Sequence, residues 1–128
     1  LSPRAQIAAP AAMDHSAQNG VRDALPPQLP ARWQTPPSGS GAVLSLTTEN
    51  FAFVRVEDSA PHVPGQGHAH VYLNGLKLGR LYAPNFTLGA LSPGRYTLTV
   101  ALNTNDHRPY LDAAGPITAT LAFLITEN

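Results

Sequence analysis

From Ala42 onward, apolar and polar residues alternate in short runs separated by turn residues. Strands are expected over 43–47, 51–56, 68–73, 76–82, 86–88, 95–103 and 117–125, each rich in β-branched or aromatic residues. In the sixth run Tyr96, Leu98, Val100 and Leu102 alternate with Thr97, Thr99 and Ala101, and in the last Ile117, Ala119, Leu121, Phe123 and Ile125 alternate with smaller groups. A period of two turns one set toward a core and the other toward water. The pattern predicts an all-β sandwich of about seven strands over residues 42–128.

Residues 1–41 have a different texture. They hold seven of the thirteen prolines, several Ala runs, Pro26-Pro27, Pro36-Pro37 and a Ser38-Gly39-Ser40-Gly41 stretch, with neither a helical nor a strand period. Proline lacks an amide donor and disfavours helix in the residue before it, so this stretch is expected to be an extended or disordered leader without a ladder of its own. Trp33 is its largest apolar group and the candidate for docking onto the domain.

The Asn74-Gly75 pair suits a two-residue type I′ hairpin, which needs positive φ at both central residues. An unbroken register from that turn would set Leu73 opposite Leu76, Val71 opposite Leu78 and Ala69 opposite Arg80 on the core side. Tyr72 would then face Lys77, His70 would face Gly79 and His68 would face Leu81 on the other. Gly79 would leave room beside an imidazole.

Composition narrows the chemistry. Eight basic residues balance eight acidic ones and Lys77 is the one lysine, so nothing gathers a polyanion and nucleic acid is not an expected partner. Absence of cysteine excludes a disulfide framework, a thiolate nucleophile and thiolate-held metals. No apolar run reaches the roughly 20 residues a spanning helix needs, so no membrane span is expected. Serines lack a nucleophile-elbow context, and loop carboxylates such as Glu57, Asp58 and Asp112 suggest no glycosidase pair, so an enzyme is not expected.

What remains is histidine. His68 and His70 form a His-X-His on one strand, which projects both imidazoles to one face with Cβ atoms about 7 Å apart. His107, after the strand ending at Asn103, is a third candidate ligand, and His62, in the preceding loop, a fourth. Several imidazoles at one sheet edge suit Cu(II) or Zn(II), with copper favoured by intrinsic affinity. Asp106 is cast as an outer acceptor orienting an imidazole, with Tyr72 alongside it. Met13 and His15 in the leader form a possible auxiliary capture site for Cu(I), which prefers soft ligands.

Three spaced motifs carry a resemblance. Paired histidines running into Val71-Tyr72-Leu73-Asn74-Gly75, then Leu91-Ser92-Pro93-Gly94-Arg95-Tyr96, then Asp106-His107-Arg108-Pro109, resemble exported bacterial immunoglobulin-like β-sandwich domains whose function is unassigned, and the fold expected is an immunoglobulin-like or cupredoxin-like sandwich. Met13-Asp14-His15-Ser16 is similar to short Met/His motifs of periplasmic copper-handling proteins. The resemblance implies a periplasmic or secreted address, with any signal peptide already removed, and makes a metal site at His68, His70 and His107 more plausible. The leading expectation is a copper-binding protein that sequesters copper, confers tolerance or delivers the ion to a partner. The alternatives are an adhesion or assembly module of the cell envelope with incidental histidines, and a zinc-stabilised structural module.

Overall fold

The computed structural model describes residues 20–127. Met13 and His15 therefore lie outside the described residues. Ten strands run along the chain: β1 (Ala31–Ser38), β2 (Gly41–Leu46), β3 (Ala52–Phe53), β4 (Gln66–Leu73), β5 (Leu76–Leu81), β6 (Asn85–Leu88), β7 (Gly94–Asn103), β8 (Leu111–Asp112), β9 (Gly115–Pro116) and β10 (Thr118–Ile125). Among the described residues there is no helix, and the fold is an all-β, sandwich-like one.

One sheet has the order β1-β2-β6. The other runs β10-β7-β4, and the free edge of β4 is shared by β3, which pairs with its first residues in parallel, and by β5, which pairs with the rest. A β8-β9 ribbon follows the end of β7. The faces of the two sheets enclose Leu44 and Leu46 from β2, Ala69 and Val71 from β4, and Leu98, Val100 and Leu102 from β7, with Leu81, Tyr110 and Ile117 completing the core. This is the inward half of the alternation seen along 95–103. Removing these side chains from water is the main drive to fold, at about 1.5–3 kcal/mol for each fully buried aliphatic side chain.

Strand β1 corrects the expectation that residues up to 41 form no ladder. It pairs antiparallel with β2, from Ala31 opposite Leu46 to Ser38 opposite Gly41, so a boundary at 41 would cut a hairpin. Two features make this compatible with proline. As an edge strand β1 has one partner, and the register is broken on both sides of Thr35, so Pro36 and Pro37 sit where the ladder asks for no amide donor. Upstream, Leu29 is buried and Val21 bridges to Tyr110. Trp33 packs edge-on to Phe123, which stacks on Tyr96.

The β4–β5 hairpin forms at Asn74-Gly75 with positive φ at both residues, 51° and 81°. Leu73 opposes Leu76 and Tyr72 opposes Lys77 as expected, but a bulge then shifts the register. Val71 opposes Gly79, His70 opposes Arg80 and Ala69 opposes Leu81. The open position expected beside His70 is thus replaced by an arginine. Gly79 itself has φ 153°, in the region L-residues avoid, and accommodates the bulge. The residues carry the slip as a change of parity, from Leu76 and Leu78 before Gly79 to the buried Leu81 after it.

Candidate functional site

Because Ala69 and Val71 point into the core, His68 and His70 must point out of the same strand on its other face. Their neighbours then decide their surroundings. On one side β7 sets Asn103 beside His68 and Ala101 beside His70. On the other, Tyr82 at the end of β5 tilts over His68 with ring centroids 5.6 Å apart, and Arg55 lies 4.0 Å above the Tyr82 ring. His68 is only 2% exposed although it lies on the outward face, while His70 is half-buried. Gly67 allows this close approach, since a Cβ there would collide with the Asn103 carbonyl.

The loop after β7 supplies the third ring. Thr104 accepts from the His107 amide at its carbonyl (3.0 Å) and from the Arg108 amide at its hydroxyl (3.0 Å), and the Thr104 hydroxyl also hydrogen-bonds Asp106. Asp106 is ion-paired to Arg108 at 2.8 Å, and that guanidinium holds its carboxyl below the usual carboxylate range. These bonds tighten the turn so that His107 adopts φ 68°, an αL conformation uncommon outside glycine. His107 is delivered against His68, with ring centroids 5.2 Å apart.

The two strand histidines meet directly. Their Nε2 atoms are 3.2 Å apart, one donating its proton to the lone pair of the other. Burial, joined by the positive charges of Lys77, Arg80 and neighbouring imidazoles, pushes both down from 6.5 to about 4. Both are neutral at physiological pH. The His107 nitrogens are buried without a hydrogen-bond partner; Asp58 Oδ1 lies 3.5 Å from Nε2, close enough for electrostatic attraction but not for a formed hydrogen bond.

Two nitrogens each about 2.0–2.1 Å from one ion at a tetrahedral angle stand about 3.3 Å apart, so the His68–His70 spacing has the bite of a bis-imidazole metal ligand. Among the described residues no three His, Cys, Asp or Glu side chains are already arranged to hold an ion, so this bite comprises two nitrogens. Beside it a cleft of about 260 Å³ is lined by His70, Tyr72, Lys77, Asn103 and His107.

Comparisons with protein-family models, with curated proteins and with solved structures find no match to this chain.

The structure brings together His68, His70 and His107. It does not bring His62: that Nε2 lies 3.0 Å from Asp23 Oδ1, the ring packs edge-on to Tyr110 at 5.6 Å, and the second carboxylate oxygen of Asp23 accepts the Gly65 amide at 2.9 Å. His62 clasps the N-terminal segment instead of joining the cluster. Asp106 touches Thr104 and Arg108 rather than an imidazole, so it shapes the turn and orients no ring directly; Tyr72 stands on the cleft wall. Sequence reasoning missed Asp58, Arg80 and Tyr82. The last two share a strand face at i and i+2 and were recoverable once a bulge was allowed, whereas Asp58 arrives from a loop that carries no signal of its destination.

Proposed function

We propose that this domain binds a copper ion between His68 and His70, with His107 as the third imidazole at the site, and serves to sequester copper or pass it on. The observation that carries the reading is the 3.2 Å separation of the two Nε2 atoms, held by a strand whose other face is locked in the core. Their neutrality supports it, because a ligating imidazole must offer a lone pair. His107 supports it by presenting two unpartnered ring nitrogens beside them. A periplasmic or secreted address belongs to the same proposal and rests on the order of the three motifs. No catalytic role is part of it.

Calorimetric titration with Cu(II) tests the reading: one ion is expected to bind per chain. His70→Ala, at the more exposed position, is expected to abolish most of that affinity while the protein still melts cooperatively. Unchanged affinity in that variant overturns the assignment. Zinc competes for the same bite, since the spacing suits a tetrahedral ion, and elemental analysis of protein purified without added metal separates the two. The second reading, an envelope adhesion or assembly module with incidental histidines, draws support from Leu76 and Leu78, which are 70% and 43% exposed on β5. It predicts melting indifferent to metal.

A further inference from the structure

The same cleft asks for a second component. An ion held by His68 and His70 has two protein nitrogens in place with the His107 ring beside them, and among the described residues no three ligating groups are already gathered around one point. Copper and zinc take four or more ligands, so outside donors must fill the remaining positions. The charge there is uncompensated. Lys77 lines the cleft, and Arg80 stands opposite His70 across the ladder. The nearest carboxylate, Asp58, is on an exposed side chain already ion-paired to Arg80.

The cleft opens from His70 and His107, so a ligand in it can reach the ion. Its polar wall offers donors: the Lys77 ammonium, the Tyr72 hydroxyl and the Asn103 carboxamide. Ala101, Pro109 and Pro116 make the remainder apolar. At about 260 Å³ it has room for roughly nine waters, taking about 30 Å³ for each, or for a molecule of a few carbon atoms.

We infer that this cleft seats a small carboxylate bearing an adjacent hydroxyl or amine, which chelates the metal held by His68 and His70 while its carboxylate pairs with Lys77. The inference rests on the metal-binding reading above. The protein then carries copper as a ternary complex, and the small anion supplies both the missing ligands and the missing negative charge.

The test uses the full chain and Cu(II) in a buffer free of carboxylates. Lactate is added to the copper-loaded protein, lactamide serves as the neutral isostere, and copper and lactate retained with the protein are measured alongside the visible and EPR spectra. The expected result is a saturable spectral shift with lactate, one lactate retained per copper, and little response to lactamide. Lys77→Met is expected to weaken the lactate step about tenfold, and Lys77→Arg to restore it. Copper that binds alone but is stripped by lactate, or whose spectrum lactate leaves unchanged, overturns this inference and leaves the metal-binding reading standing. An equal response to lactamide overturns it too. Copper that binds neither alone nor with lactate overturns both, whereas copper that binds alone and then retains one lactate supports both.

Discussion

Two histidine environments lie on this small scaffold, and they differ in the partner each imidazole has. His62 has a buried carboxylate: Asp23 holds its Nε2 and the Gly65 amide at once, tying the segment before β1 to the loop before β4. His68 and His70 have each other, with Tyr82 and His107 around them and a carboxylate only at the rim. The first arrangement satisfies the ring and spends it on architecture. The second leaves neutral rings whose Nε2 atoms are joined only to each other, a hydrogen bond that an ion can replace. Histidine count along the sequence is therefore a poor guide to a site, and the nearest carboxylate is a better one.

The largest effect is expected where the carboxylate is removed. Asp23→Ala leaves the Gly65 amide and the His62 ring without their acceptor in a place where the Asp23 side chain is only 6% exposed. Losing an acceptor to buried donors costs about 1–3 kcal/mol for each group, so denaturant melts should show a loss of about 3 kcal/mol. Copper affinity should not change, because the clasp and the cluster share no residue. Replacing His70 with alanine should do the reverse. Affinity is expected to fall on the order of a hundredfold while stability falls by only about 1 kcal/mol, the low end of the cost of leaving the His68 Nε2 without its partner, since water can enter where the half-buried His70 ring stood. A variant that shifts both quantities together would erase the distinction between the two environments.

Acid sharpens the contrast further. In the metal-free protein the folded-state values of His68 and His70 are depressed to about 4 from 6.5. The unfolded chain thus takes up protons first as pH falls. The neutral pair costs nothing above about pH 6.5, stability declines between 6.5 and 4, and the decline levels off once the folded protein is protonated as well. Each imidazole contributes a slope of up to about 1.4 kcal/mol per pH unit in that window. Urea melts from pH 7.5 to 4.5 measure it, and the double variant His68→Ala/His70→Ala should flatten most of the curve.

Much of this was legible along the chain, and what was not has a definite cause. Alternation in 95–103 and 117–125 carried the all-β layout, because burial on one face leaves a period of two in the residues themselves. Asn74-Gly75 carried the hairpin, and with it the common face of His68 and His70. Strand β1 was illegible, since proline counts against a ladder in general but not at the irregular points of an edge strand. The bulge was harder to read, because its marks are a single glycine at 79 and a change of apolar parity from Leu76 and Leu78 to Leu81, too short a run to fix a register alone. Convergence of His107 on His68 depends on the tight turn built by Thr104 and Asp106, whose residues read equally well as any strand end. The Asp23–His62 clasp joins positions 39 residues apart, and nothing local marks either as the other's partner.

That bulge gives the smallest test, and it bears on how the outer cluster is held. Gly79 and Gly89 both have open space where a Cβ would stand, so neither substitution meets a neighbour. They differ in backbone: Gly79 is at φ 153°, and Gly89 is not among the positive-φ glycines. Gly79→Ala should therefore cost about 1 kcal/mol through strain alone, whereas Gly89→Ala should be neutral or stabilise by up to about 0.5 kcal/mol through the unfolded chain. Paired thermal melts of the two variants isolate the dihedral. Equal melting temperatures would mean that the bulge relaxes without cost, and Arg80 would then be free to slide from its station opposite His70.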